Sequence, residues 1–209
     1  MPIKYNAMKI YGLTGGIGCG KSTISRILQT LGFQIIDADA LTHELHKNPD
    51  ICRTLADIFG PEILMSSPTG LCINRKNLGK LVFNTPDART KLDEIMRPAL
   101  RSMVIERLSH RTAPTILDAA LLFEAGWHDL TDENIVVLCP EHIRSMRIQA
   151  RDGLSEQQAL SRIRAQMSDA ERIARADCLI YNTGDIQHLK RQIHNIFDIT
   201  KPSPITLKV

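Results

Sequence analysis

Gly15-Gly-Ile-Gly-Cys-Gly-Lys-Ser22 satisfies the pattern G-x-x-x-x-G-K-[ST] at every required position. The chemistry of such a loop is phosphate capture. Its glycines let the backbone curl until successive N–H groups point at phosphate oxygens, and the helix that follows adds the positive end of its dipole. Gly16, Ile17, Gly18, Cys19 and Gly20 are expected to cradle ATP, with Lys21 reaching the β- and γ-phosphates, Ser22 ligating Mg²⁺ and Thr23 alongside. Cys19, a thiol beside a helix N-terminus, is expected to have a lowered pKa.

Two further groups of residues could act on a phosphate held there. Asp39 follows a predicted strand and can take the proton of an attacking hydroxyl, with a helix N-cap as its plainer reading. Asp37 reads as structural or as an indirect Mg²⁺ contact. Asp118 follows the apolar Thr115–Leu117 and resembles a Walker-B carboxylate holding Mg²⁺ directly or through water; a turn residue is the alternative. Arg144, Arg147 and Arg151 recur at helical spacing before Asp152-Gly153, which predicts an arginine-bearing lid. Arg151 is the choice for stabilising charge on the transferring phosphoryl group, and Arg147 is second. Asn182 could hydrogen-bond adenine, although a loop Asn is more often a turn former.

Positioning these side chains requires strand, loop and helix in alternation. Lys9–Leu13 reads as a buried strand; Ile24, Ile27, Leu28 and Leu31 mark a helix that Gly32 ends; Phe33–Ile36 is a second strand. Together they make a right-handed βαβ unit. From Asn48 to Arg111 strand signals vanish. Asp50–Phe59 is helical, Gly60-Pro61 breaks it, residues 66–70 form a loop, Asn74 caps a helix to Phe83, Thr85-Pro86 starts another, and Arg97-Pro98 punctuates it. Strands return at Thr115–Leu117 and Asn134–Cys139. A helical hairpin with capping boxes at Ser155/Gln158 and Ser168/Glu171 precedes a strand at Cys178–Tyr181. Ile186, Leu189, Ile193, Ile196 and Phe197 line a final helix, and the tail from Lys201 is loosely held. The fold class is α/β: a three-layer core with two helical excursions.

Bulk properties narrow the function. The 209 residues carry a net charge of +3 and only 4% aromatics, so no nucleic-acid partner is expected. No apolar run reaches membrane-spanning length, Met1–Ala7 is no secretory signal, and five scattered cysteines fit reduced thiols; a cytoplasmic location follows. A guanine-binding N-K-x-D motif is missing, and Asp57-Ile-Phe-Gly60 falls in a helical stretch, which sets a GTPase aside. A small-molecule kinase remains the best class, with a nucleoside or nucleotide kinase and an ATP-dependent regulatory module as competitors.

Leu13–Thr23, Asp37-Ala-Asp39, Asp118-Ala-Ala-Leu-Leu-Phe-Glu124, Arg151–Ser155, Arg162–Gln166 and Ala176-Asp177 with Asn182 resemble, in order and spacing, the dephospho-CoA kinases. The resemblance spans Met8 to the final helix. It implies transfer of the γ-phosphate of ATP to the 3′-hydroxyl of dephospho-CoA, with Mg²⁺, and with no obligate protein partner evident. It also implies a five-stranded parallel sheet with a nucleotide-binding core of residues 8–47, 112–140 and 176–209. A helical CoA-binding insertion would occupy 48–111, and a lid with its connecting helix 141–175. Thr14, Asp39, Leu121 and Glu124 are carried over as acceptor-site residues, although Leu121, Leu122 and Phe123 are ordinarily core types. Three positions depart from the family pattern: Arg97 where His is usual, Ala120 where Pro is usual, and Cys19 where Ser or Ala is commoner.

Overall fold

The computed structural model describes residues 8–197, apart from Thr69, Asn84 and the side chain of Phe83. Expectations for residues 1–7 and for the tail from Lys201 lie outside the described residues. Along the chain run β1 (Ile10–Gly15), α1 (Lys21–Thr30), β2 (Gln34–Asp37), α2 (Ala38–Leu45), α3 (Pro49–Phe59), β3 (Leu64–Ser67), β4 (Gly70–Ile73), α4 (Arg75–Phe83) and α5 (Pro86–Ser109). Then follow β5 (Thr115–Asp118), β6 (Glu133–Leu138), α6 (Glu141–Asp152), α7 (Glu156–Arg164), α8 (Asp169–Ile173), β7 (Cys178–Tyr181) and α9 (Ile186–Ile196).

Five strands form one parallel sheet in the order β2-β5-β1-β6-β7. β5 therefore inserts between the first two strands of the chain. Leu13 pairs with Asp118, Gly15 with Val137 and Leu138 with Tyr181. The carboxyl ends of β1, β5, β6 and β7 thus fall on one edge, where open α/β sheets present ligands. On one sheet face Tyr11, Leu13, Ile135, Val137 and Ile180 pack against Ile24 and Leu28 of α1 and Leu189 and Ile193 of α9. Tyr11, Phe33 and Phe197 meet edge-on at centroid distances of 4.7–5.9 Å and close one end of this core. Ile186, placed on the apolar stripe of α9 by its spacing, is instead 45% exposed, because at the start of the helix it lines an open cleft with Gly20 and Thr23, while Leu189 in the same turn is core.

The chain divides into two units, one holding the described residues up to Ile36 and from His110 onward, the other holding Asp37–Ser109. The second starts earlier than the expected insertion at 48, so α2 belongs to it, and α6–α8 fall within the first. The second unit has its own core of Leu45, Cys52, Leu55, Ile63, Ile73, Leu78 and Met96. It is not wholly helical. β3 and β4 pair antiparallel from Leu64↔Ile73 to Ser67↔Gly70, where the sequence suggested only a loop. Four-residue strands without clean alternation give no periodic signal, and the pairing is closed by Ser67 Oγ donating to the Gly70 carbonyl at 2.7 Å. Pro98 also behaves differently from expectation. It lies inside α5 rather than at its end. The lost backbone hydrogen bond costs about 3 kcal/mol in an isolated helix. Burial of Met96, Val104 and Leu108 along the same helix offsets it.

Candidate active site

The phosphate loop takes its shape from glycine. Gly18 and Gly20 sit at φ 79° and 88°, in the left-handed region that other residues enter only with strain. Cys19 N–H donates to the Gly16 carbonyl at 3.0 Å, and Ile17 N–H donates to Gln166 Oε1 at 2.8 Å. Those two amides therefore shape the loop. The N–H groups of Gly18, Gly20 and Ser22 have no acceptor among the described residues, and they stand at the N-terminus of α1. They are the loop's open donors for an anion.

Lys21 Nζ pairs with Asp118 Oδ1, and Ser25 Oγ donates to Asp118 Oδ2. Asp118 is only 4% exposed, so the ammonium and the α1 hydroxyl are what make its charge tolerable. Asp118 is the last residue of β5, not a turn residue. Ser22 is exposed, leaving its hydroxyl accessible. Among the described residues no group of three His, Cys, Asp or Glu could hold a metal alone. The oxygen donors Ser22 and Asp118 suit a hard cation that keeps waters and substrate phosphates for most of its shell.

Asn182 is buried at the end of β7 and donates from Nδ2 to the Cys19 carbonyl at 2.7 Å. A Cβ on Gly20 would stand 2.1 Å from that nitrogen, which is why the loop passes so close. Its amide nitrogen is thus engaged by the loop. Asn182 nevertheless lines a cleft of about 300 Å³ with Gly20, Thr23, Arg147, Asp185 and Leu189. The expectation for Cys19 is corrected here. The thiol is 2% exposed and its pKa is raised, chiefly by burial, against the opposing pull of the Lys21 N–H and ammonium.

The arginine row on α6 divides in two. Arg144, expected in a lid, is 3% exposed and lies under the loop, donating from Nε to the Ile17 carbonyl at 2.9 Å. Arg147 reaches the Gly18 carbonyl at 3.2 Å. Arg151 is instead gripped by Asp152 through two hydrogen bonds of 2.7 and 2.9 Å, which hold the carboxyl below its ordinary range. Gly153, at φ 67°, ends the helix just beyond.

The remaining expected residues are scattered. Thr14 is fully buried and donates its hydroxyl to the Ala120 carbonyl at 3.2 Å, tying β1 to the turn after β5. In that turn Leu122 and Phe123 are core, while Leu121 is 54% exposed. Glu124 Oε1 stands 3.7 Å from Nη2 of the buried Arg172. Asp39 belongs to the other unit, in the first turn of α2, and it is not the cap. Asp37 is, accepting from the N–H groups of Asp39 and Ala40 at 2.8 and 3.1 Å. The exposed Asp39 carboxylate has no partner among the described residues. Sequence reasoning missed Gln166 and Asp169 as neighbours of the loop. Gln166 could have been found within the Arg162–Gln166 motif, whereas nothing local marks Asp169.

A five-stranded parallel sheet carrying a phosphate loop, a buried strand-end aspartate on its lysine and a cleft beside the loop defines a P-loop phosphotransferase of the small-kinase type. The profile described as dephospho-CoA kinase matches residues 9–188. The dephospho-CoA kinase of Acinetobacter baylyi is 38% identical over 188 residues, covering 89% of this chain and 95% of that protein. That of Carboxydothermus hydrogenoformans is 41% identical over 194 residues, covering 90% and 93%. The solved dephospho-CoA kinase of Campylobacter jejuni superposes with a TM-score of 0.67 at 29% identity, covering 90% of this chain and 94% of that one. The chain belongs to the dephospho-CoA kinase family. No helix among the described residues is long and apolar enough to cross a membrane.

Proposed function

We propose that this chain transfers the γ-phosphate of ATP to the ribose 3′-hydroxyl of dephospho-CoA, the last step in forming coenzyme A. The observation that carries the reading is the loop itself, where the N–H groups of Gly18, Gly20 and Ser22 have no acceptor among the described residues and Lys21 follows directly, its ammonium on Asp118. In the proposed reaction ATP lays its phosphates along Gly16–Thr23, with its base in the cleft lined by Asn182 and Arg147. Lys21 turns from Asp118 toward the β- and γ-phosphates. Ser22 and Asp118, the latter directly or through water, would hold Mg²⁺, which would supply positive charge against the phosphates.

Asp39 is the proposed base. Because Asp37 holds the helix cap, both Asp39 oxygens remain available to orient the 3′-hydroxyl and take its proton. The bond from the 3′-oxygen to phosphorus forms as the bond from phosphorus to the β,γ-bridging oxygen breaks, and ADP leaves. Arg151, released from Asp152, spreads its fork over the transferring group, with α6 and α7 as the lid. Thr14, Leu121 and Glu124 border the acceptor, and residues 48–111 hold its CoA portion. Thr14 acts through the Ala120 carbonyl of the turn after β5, while exposed Leu121 offers apolar contact. Free thiols at all five cysteines favour a cytoplasmic setting.

The test follows phosphorylation by mass with dephospho-CoA, a nucleoside and shikimate as parallel acceptors. Only dephospho-CoA should gain phosphate, at its 3′-position. Transfer to the nucleoside with none to dephospho-CoA would overturn the assignment.

A further inference from the structure

Beneath the phosphate loop two buried guanidiniums, those of Arg144 and Arg172, alternate with the partly exposed carboxylates of Asp169 and Glu124. Arg144 seats the loop: a Cβ on Gly16 would come within 2.2 Å of its guanidinium, and one on Gly18 within 2.9 Å of its carbonyl oxygen. At 3% exposure this cation needs a counter-charge, which Asp169 supplies with its two oxygens at 3.2 and 3.3 Å from Nη1. The same carboxylate stands 3.5 Å from Nη1 of Arg172, which is 1% exposed and also donates to the Met167 carbonyl. Arg172 then faces Glu124 at 3.7 Å. Its Nε and Nη2, and Glu124 Oε2, are buried without a hydrogen-bond partner among the described residues. One carboxylate thus serves two buried guanidiniums.

We propose that Asp169 and Arg172 are positioning residues for nucleotide binding, acting through Arg144 on the Gly16–Gly18 stretch of the loop. The end of the relay argues for this over a purely structural role. Its last bond is to the backbone of Ile17, a residue of the phosphate cradle, and Gln166 from the same α7–α8 connection takes the Ile17 N–H. Ile17 is therefore held at its carbonyl by Arg144 of α6 and at its N–H by Gln166, three residues before Asp169. The carboxylate fixes the plane of the Arg144 guanidinium, and that plane sets the height of the Ile17 carbonyl. Glu124 extends the relay to the turn after β5. The proposal rests on the nucleotide-binding reading of the loop.

The experiment compares Asp169→Asn, Asp169→Glu and Arg172→Met with the parent in three measurements: ADP binding by calorimetry, KM for each substrate, and thermal midpoint. Asp169→Asn should weaken ADP binding and raise KM for ATP by about tenfold, the scale of one lost charge-assisted hydrogen bond. KM for dephospho-CoA and kcat should stay within about twofold of the parent. Asp169→Glu should recover most of the loss, and Arg172→Met should shift the same parameter in the same direction. If Asp169→Asn does not fold, the double variant Arg144→Gln/Asp169→Asn removes the stranded cation and should show the same rise in KM for ATP. Parental ADP affinity in a folded variant overturns the proposal, as does a parallel change in both KM values and kcat. Because calorimetry needs no acceptor, failure of the relay is distinguishable from failure of the dephospho-CoA assignment, which would leave ADP binding intact in the parent.

Discussion

Replacing Lys21 with Ala has two consequences that the structure separates. The first is on stability. Lys21 and Asp118 are 17% and 5% exposed at their side chains, so the variant strands a buried carboxylate with only the Ser25 hydroxyl for a partner. Removing one member of such a pair costs about 3–5 kcal/mol, and partial access of water to the lysine end puts the expectation near the lower figure. At about 2–4 °C per kcal/mol for a chain of this size, the thermal midpoint should fall by roughly 6–12 °C. The second consequence is on turnover. A charge aimed at the transferring phosphate is lost, and removal of one such group costs about 10²–10³ in kcat. The double variant Lys21→Ala/Asp118→Asn removes the stranded charge, so it should regain most of the lost midpoint while remaining inactive. Melting followed by circular dichroism and product formation followed by mass read the two effects independently. Near-parental turnover in folded Lys21→Ala would refute the phosphate role, and a double variant no more stable than the single would refute the buried-pair argument.

Asp39→Asn should depress turnover strongly while leaving ATP affinity and the thermal midpoint unchanged, because the α2 cap belongs to Asp37; transfer at the parental rate would remove Asp39 as the base. Asp37→Ala, by contrast, should cost about 1 kcal/mol of stability, read from denaturant midpoints, and a change below the error of that measurement would contradict the capping assignment. Arg151→Ala should slow transfer, and combined with Asp39→Asn should lose less than the product of the single losses, since both act in one transition state; multiplicative losses would separate the two residues. In the native protein at neutral pH, iodoacetamide should label the half-exposed Cys72 before the buried Cys19, whose raised pKa keeps it a thiol; peptide mapping that finds Cys19 first would contradict this.

Local chemistry made much of this protein legible in its sequence. The left-handed glycines at 32 and 153, the Asn74 cap and both capping boxes are each written within four or five residues, and the phosphate loop within eight; each takes its local shape where its residues stand. Short-range features were lost where the local signal was weak, as in the four-residue strands β3 and β4, or where the deciding offset was very small. Asp37 and Asp39 are both good caps, and a two-residue difference in where α2 starts decides which carboxylate is spent and which is free.

What the tertiary structure decided is who meets whom. Ile17 and Gln166, Arg144 and Ile17, and Asn182 and Cys19 are separated by 149, 127 and 163 residues. Their meeting depends on β6 lying next to β1 and β7 next to β6, an order that no local pattern encodes. The arginine spacing on α6 correctly gave one face. Burial then made Arg144 a support of the loop, because Asp169 supplies its counter-charge, and left Arg151 at the surface on Asp152. Periodicity fixes which side of a helix a residue shares with its neighbours, since that depends on backbone geometry alone. Whether that side faces a carboxylate, a phosphate loop or water depends on packing between distant segments, and that is settled only when the sheet is assembled.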